Sequence, residues 1–174
     1  MYRQQIVEYY HRDDIARAIA EAARGREAAG VFSDGAYDSR PNAIFYPNDV
    51  KQMAKRGITS FHISVEYWKN PMALSTENKN YHELRTGYDI LIDIDSKLGI
   101  EEAKLAASLI CQFLEKYGIK NYGIKFSGRR GFHIVLPWAM LPKEIDLRPA
   151  AHQYPKISKI IARFIRRGIS EDLM

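Results

Sequence analysis

Apolar residues recur at helical spacing in four parts of the chain. One apolar stripe follows Asp13 and Asp14, either of which can cap a helix that ends at Gly25; it consists of Ile15, Ala18, Ile19 and Ala22. The same spacing predicts a small helix over about 48–56 and a longer one over 101–116, which Gly118 closes. A last helix is predicted over 156–167, just after Pro155. These helices need a sheet or one another to cover their apolar faces.

Short apolar or alternating runs predict the strands. They cover residues 43–46, 60–68, 88–95, 122–127 and 132–136, with a loop over about 33–42. The last two strands are joined by a tight glycine-containing turn, so at least this part of the sheet is antiparallel. The sequence therefore predicts an α+β fold with a mixed, partly antiparallel sheet and covering helices.

Composition narrows the class of protein. A chain of 174 residues with 46% hydrophobic and 27% charged residues suits one globular domain, so we expect a single core over residues 1–174. No apolar run approaches the roughly 20 residues of a membrane span, and we expect a cytoplasmic protein with no membrane partner. Cys111 is the lone cysteine, which excludes an intramolecular disulfide and a cysteine-rich zinc site. The net charge of +5 suits a polyanionic partner.

Three acidic residues share one face of the strand predicted over 88–95, and two of them, Asp93 and Asp95, are adjacent on it. Because strand side chains alternate, Asp89, Leu91, Asp93 and Asp95 point one way and three isoleucines point the other. Side chains two residues apart on a strand are about 6–7 Å apart at the backbone, so Asp93 and Asp95 can converge on one divalent cation. Carboxylates suit Mg²⁺ or Mn²⁺.

Other interpretations of this acidic pair stay open. Asp93 and Asp95 are equally explained as solvated acids that cap the following helix or pair with Lys97. A phosphohydrolase with Asp93 as its nucleophile is disfavoured, because Ser-Lys-Leu follows Asp95 and the arginine-rich turn would have no role.

The second candidate feature is the turn that begins at Ser127 and ends before His133. Gly128 and Gly131 allow a sharp reversal with exposed amide donors. The remaining polar side chains of the segment are Ser127, Arg129, Arg130 and His133. Charge-assisted donors of this kind suit a triphosphate. An ordinary hairpin turn with a structural histidine is the alternative, since this segment is neither a Walker loop nor a Rossmann motif.

With both motifs in view, the sequence resembles the archaeo-eukaryotic primase superfamily, specifically the catalytic small subunit of DNA primase. Ile92 to Asp95 is similar to its first motif, and the seven residues from Ser127 to His133 (SGRRGFH) are similar to its second. The resemblance covers about residues 88–137 and implies that Asp93 and Asp95 are catalytic and hold Mg²⁺ or Mn²⁺. It also implies that Ser127, Arg129, Arg130 and His133 bind the incoming nucleoside triphosphate.

The resemblance further implies that the protein is an enzyme of DNA replication that synthesises primers on a DNA template. It also implies that two metal ions take part in the reaction and that a large primase subunit is a partner. Its third catalytic aspartate lies on a later strand, whereas the later aspartates here are Asp146, in a predicted loop, and Asp172, in a polar tail. We therefore expect that acid to come from a further C-terminal segment or another polypeptide, and little synthesis by this chain alone. The alternative is a non-catalytic module that binds nucleotide or single-stranded DNA.

Basic residues outside these motifs suggest contacts with nucleic acid. The segment over 156–167 carries five lysines and arginines without an acid, which suits either a phosphate backbone or a solvated helix face. Four other cations are candidate template contacts: Arg40, Lys51, Lys55 and Arg56. Tyr67 and Trp68 are candidates for base stacking, although strand aromatics more often lie in a core.

Overall fold

The computed structural model describes residues 3–74 and 81–172. These residues form five α-helices and small sheets of two or three strands, and every strand pair whose direction is defined is antiparallel. The predicted α+β class is thereby confirmed. The chain divides into two compact units, Met1–Thr86 and Gly87–Met174. The assignment of residues 1–174 to one primase-like core stays a prediction.

The first unit combines three helices with two strand pairs. Its helices are α1 (Arg3–His11), α2 (Asp13–Ala22) and α3 (Pro47–Arg56). Its strands are β1 (Ala28–Phe32), β2 (Ile58–Ile63), β3 (Glu66–Trp68) and, at the junction of the units, β4 (Arg85–Tyr88). β1 and β2 pair antiparallel, β3 pairs with β4, and α1 and α2 both pack against α3.

Two predicted helices of this unit are present, with a change at one cap. α2 begins at Asp13, so Arg12 holds the N-cap position and both aspartates lie in the first turn, where a helix favours negative charge. α3 ends at Arg56 and is capped by Gly57, whose φ of 109° favours glycine. α1 and β1 were not predicted from the pattern.

The strand predicted over 43–46 is wrong. Phe45 and Tyr46 are exposed and outside regular structure, and their amides both donate to Asp49 Oδ2, at 2.9 Å each. Asp49 lies in the first turn of α3. The backbone donors that a sheet would need are therefore used to start the helix.

The single strand predicted over 60–68 is interrupted. β2 ends at Ile63 and β3 begins at Glu66. Arg26 Nη1 donates to the carbonyls of Ser64 and Val65, at 2.9 and 3.0 Å, which fixes the chain between the two strands. Hydrogen bonding to a distant arginine, which periodicity cannot reveal, causes this break.

The second unit contains a three-stranded antiparallel sheet and two long helices. The strands are β5 (Ile90–Asp95), β6 (Gly123–Phe126) and β7 (Gly131–Leu136), in the order β5-β7-β6. The helices are α4 (Ile100–Lys116) and α5 (Lys156–Asp172). A hairpin of β8 (Glu144–Ile145) and β9 (Arg148–Pro149) precedes α5. α4 and α5 are the two helices predicted here, and α5 extends beyond the predicted residue 167.

One face of this sheet is buried against the helices. Ile90, Ile94 and Ile134 are nearly inaccessible and share a core with α4 and α5. Residues of opposite parity in the strands point the other way, and Asp93 and Asp95 are exposed. The apolar face therefore anchors the strand while the acidic face stays open to solvent.

The predicted strand over 88–95 is divided at Asp89. β4 ends at Tyr88 and β5 begins at Ile90. The buried Asp89 carboxylate accepts a hydrogen bond of 2.9 Å from the amide of Trp138, so Asp89 leaves the acidic face on which strict alternation would place it. Asp89 thus holds the chain in place and does not extend the acidic pair.

No helix among the described residues is long and apolar enough to cross a membrane.

Candidate functional site

β5 presents Asp93 and Asp95 on its open face. Their side chains are 68% and 55% exposed, while the intervening Ile94 is 9% exposed. This difference follows from the strand period of two, with the isoleucines held in the core. The predicted placement of the two carboxylates on one face is confirmed.

The strand register brings the second motif directly beside the first. Asp93 is opposite His133 in the β5–β7 ladder, and Asp95 is opposite Gly131. His133 Nε2 lies 3.5 Å from Asp93 Oδ1. Two segments separated by some 35 residues of chain are therefore adjacent on one sheet face.

Gly131 makes this register possible. A Cβ atom at this position would lie 2.1 Å from the carbonyl oxygen of Ile94, far inside van der Waals contact. The amide of Ser127 donates to the Gly131 carbonyl at 2.9 Å and closes the turn, in which Gly128 has a φ of 102°. The two glycines of the motif have separate roles, one in close packing and the other in backbone reversal.

Arg130 forms a bidentate ion pair with Asp95. Its Nε and Nη2 donate to the two carboxylate oxygens at 3.0 and 3.1 Å. These hydrogen bonds hold the pKa of Asp95 below its usual value and raise that of Arg130. The charge of Arg129 lowers the Asp95 pKa further, so both arginines act electrostatically on Asp95.

The predicted site residues thus divide into two groups. Asp93, Asp95, Arg130 and His133 are in contact or at ion-pair distance across β5 and β7. Ser127 and Arg129 lie in the exposed turn between β6 and β7. On the far side of β7, Lys125 is opposite His133 and adds a positive charge to the same sheet face.

A cavity of about 420 Å³ lies beside the acidic pair and adds a residue that the motifs did not identify. Most of its lining is apolar and comes from β5, α4 and α5, and its polar members are Asp93, Asp95, Arg166 and Ser170. The sequence marked Arg166 only as one cation of a basic segment. Its position near the acids depends on how α5 packs against β5, which has no local signature.

The chemistry of these donors fits a hard divalent cation held partly by other ligands. Asp93 and Asp95 provide carboxylate oxygens accessible to solvent. Arg130 donates to both oxygens of Asp95, so a cation at this carboxylate must share it with the arginine or displace the arginine. Across residues 3–74 and 81–172 no group of three or more His, Cys, Asp or Glu side chains is arranged to bind a metal. Water or substrate oxygens would have to complete the coordination.

Among the described residues, neither of the two later aspartates is placed as a third metal ligand beside Asp93 and Asp95. Asp146 lies in the turn between β8 and β9, with a φ of 52°. The backbone of Asp172 ends α5, and its side chain lies outside the described residues. A source for a third acid stays a prediction.

Three of the four candidate template contacts have ion-pair partners within the first unit. Arg40 pairs with the buried Glu27 at 2.8 Å, Lys51 with Asp13 at 2.5 Å, and Arg56 with Asp38 at 3.0 Å. Trp68 is buried at 7% exposure. These side chains hold the first unit together, which favours the structural interpretation of each.

Comparison with known proteins gives a relative but no function. No family model matches the sequence. An uncharacterized protein of Methanocaldococcus jannaschii, MJECS07, is 31% identical over 103 residues. The match covers 58% of this chain and 22% of that protein, so the chain spans less than a quarter of its relative's length. Function must therefore be argued from the motifs and their geometry.

Proposed function

We propose that this chain is a primase-type nucleotidyltransferase core that joins nucleotides on a DNA template. The observation that carries the proposal is the β5–β7 register, which sets Asp93 opposite His133 and places Arg130 against Asp95. Acids suited to a divalent cation and donors suited to a triphosphate then lie on one exposed face. A nucleoside triphosphate with its metal requires this combination.

In the proposed reaction the turn holds the substrate phosphates. Arg129 and Arg130 supply charge, Ser127 a hydroxyl, and His133 a directional donor beside the acids. Asp93 and Asp95 hold Mg²⁺ or Mn²⁺. Bound there, the cation would lower the pKa of the attacking 3′-hydroxyl and offset charge on the departing pyrophosphate. A fixed sheet register orients these groups for in-line displacement at the α-phosphorus.

The Asp95–Arg130 pair makes metal and nucleotide binding interdependent. Arg130 uses two of its five N–H donors on the Asp95 carboxylate, so its charge is shared between that carboxylate and any phosphate it contacts. A metal alone at Asp95 meets the positive charge of Arg130, and a phosphate alone at Arg130 meets the negative charge of Asp95. The metal–nucleotide complex supplies a new partner to both side chains at once.

A second candidate is a non-catalytic module that binds a nucleotide or single-stranded DNA. It is favoured by the absence of any group of three potential metal ligands in the described residues. With two carboxylates only, a second metal near the nucleophile would lack protein ligands, and the geometry for attack would seldom form.

A template-directed assay with labelled nucleoside triphosphates and Mn²⁺ tests the proposal. It is run on the wild-type chain, on Asp93→Ala and on Glu101→Gln, a control that removes an exposed acid of α4. Synthesis that Asp93→Ala abolishes and Glu101→Gln spares would support the nucleotidyltransferase. Triphosphate binding without synthesis in any form would favour the binding module. Failure to bind both Mn²⁺ and triphosphate would contradict both candidates.

A further inference from the structure

We propose that the outer face of α5 binds the sugar-phosphate backbone of a nucleic-acid strand and directs it toward Asp93 and Asp95. The inference rests on the proposed function, since it assigns a surface to the template or primer of that reaction. We call this surface the α5 track and define it by five residues: Lys156, Lys159, Arg163, Arg166 and Arg167.

The cations of the α5 track form a single stripe. At about 100° of rotation per residue, the five side chains fall within an arc of about 100° around the helix axis. All five are exposed, and residues 156–170 contain no Asp or Glu. Like charges are destabilising at such close spacing, so a polyanion bound along the stripe would relieve their mutual repulsion.

Much of the apolar side of α5 packs into the protein core. Ile157 and Ile165 are buried at 8% and 3% exposure, and Phe164 packs edge-on against Phe113 and Tyr117. Ile160 and Phe164 keep 47% and 50% exposure. An amphipathic helix that lies in a membrane interface must insert its apolar face between lipids. Because the buried isoleucines of α5 are not available for this, the five exposed cations favour a hydrated polyanion over a membrane surface.

The track has suitable features at both ends. At the start of α5, Lys156 lines a cavity of about 370 Å³ with Arg148 and His152. Near its end, Arg166 lines the cavity that contains Asp93 and Asp95. The stripe therefore runs from a basic cavity to a cavity along β5 that Asp93 and Asp95 also line.

The α5 track is long enough to contact several consecutive phosphates of one strand. Lys156 and Arg166 are ten positions apart, which corresponds to about 15 Å along the helix axis at a rise of 1.5 Å per residue. One strand of a duplex carries a phosphate about every 3.4 Å along its axis. About four or five phosphates thus fit the length over which the five cations are distributed.

Fluorescence anisotropy with a labelled single-stranded oligonucleotide tests the α5 track. The variant Lys159→Gln/Arg163→Gln removes two charges from its middle without touching either cavity lining. The control, Lys104→Gln/Lys120→Gln, removes two exposed lysines elsewhere in the second unit. Circular dichroism checks that both variants fold.

The salt dependence provides the sharpest readout. Each lost phosphate contact should reduce the slope of log affinity against log salt by about 0.7 for a single strand. We expect the track variant to lose about 1.4 from the slope, which corresponds to about 25-fold in affinity near 0.1 M salt, while the control keeps the wild-type slope. The same affinity and slope in both variants would overturn the inference. Binding of the wild type to anionic phosphatidylserine vesicles, with no binding to the oligonucleotide, would also overturn it.

Titration of the track variant with Mn²⁺ and a nucleoside triphosphate separates this inference from the proposed function. Both should bind as in the wild type, because neither substituted residue contacts the acids or the glycine turn. If the wild type binds the oligonucleotide through the track but binds no metal–nucleotide, the proposed function fails and the track stands. If the track variant loses metal–nucleotide binding as well, a separate nucleic-acid surface is contradicted.

Discussion

Arg130, the last residue of the turn before β7, binds Asp95 at the end of β5 through two hydrogen bonds of 3.0 and 3.1 Å. Each residue comes from a different motif, and each is proposed to contact a different part of the substrate complex. The pair therefore occupies the site with its own charges until metal and phosphate replace them. Exposed pairs of this kind contribute little to stability, so ligands can open it readily.

Removing this arginine should have opposite effects on the two ligands. We expect Arg130→Ala to bind Mn²⁺ about two- to fivefold more tightly in the absence of nucleotide, a range that corresponds to measured exposed ion pairs. Triphosphate affinity should fall, because a charged donor is lost. Isothermal titration of each ligand measures both effects.

Arg129→Ala is the matched control for this variant. It removes the same charge from the adjacent position of the turn but breaks no hydrogen bond to Asp95, so the gain in Mn²⁺ affinity should be smaller. Equal gains in both variants would show that charge alone matters, and weaker Mn²⁺ binding by Arg130→Ala would contradict the proposed competition.

The pKa of Asp95 gives a second test. Because the hydrogen bonds from Arg130 lower this pKa in the folded state, the stabilisation is fully present above the unfolded value of about 3.9. It is lost as the pH falls through the lower folded value. Carboxyl carbon NMR should find the Asp95 midpoint below about 3.9 in the wild type and closer to it in Arg130→Ala. An unchanged midpoint would exclude the pair in solution.

The two motif segments were predictable because their signals are local. Alternation with isoleucine placed Asp93 and Asp95 together, and the glycine turn indicated a reversal between two strands. The contact of Arg130 with Asp95 was not predictable, since it depends on which residues face each other across the β5–β7 pair. A shift of one residue would send these side chains to opposite faces.

Elsewhere long-range hydrogen bonds overrode the local pattern. Residues 43–46 read as a strand, but Asp49 uses two of their amides to begin α3. Arg26 interrupts the run over 60–68 by binding two of its carbonyls. Arg166 joined the site only through packing of α5 beside β5, so sequence reasoning identified its charge but not its location.

Gly131 should tolerate no side chain. We expect Gly131→Ala to lower the free energy of unfolding by about 1–3 kcal/mol, the usual cost of overpacking, because the new Cβ would meet the Ile94 carbonyl oxygen. Gly123→Ala is the matched control on neighbouring β6, where a Cβ has open space within 4 Å. Urea denaturation of both variants measures the difference, and equal stability would show that the β5–β7 approach is looser than described.

Nucleotide recognition should depend on the phosphates. A triphosphate should bind far more tightly than its nucleoside. His133→Ala should weaken binding of the triphosphate but not of the nucleoside, because His133, beside Asp93, is proposed to donate to the phosphates. Added salt should weaken the triphosphate further. Comparable affinities for the nucleoside and the triphosphate would remove the turn from the binding site.

The central claim is that Asp93 and Asp95 hold one metal–nucleotide complex together. Its most direct test is calorimetric titration of Mn²⁺, with and without a nucleoside triphosphate, into the wild type and Asp93→Asn/Asp95→Asn. A Glu101→Gln/Glu102→Gln control removes the same charge from the first turn of α4. We predict that the aspartate variant binds Mn²⁺ more than about tenfold more weakly and that the control binds as the wild type does. An aspartate variant that titrates like the wild type would contradict the account and leave Asp93 and Asp95 as solvated surface acids.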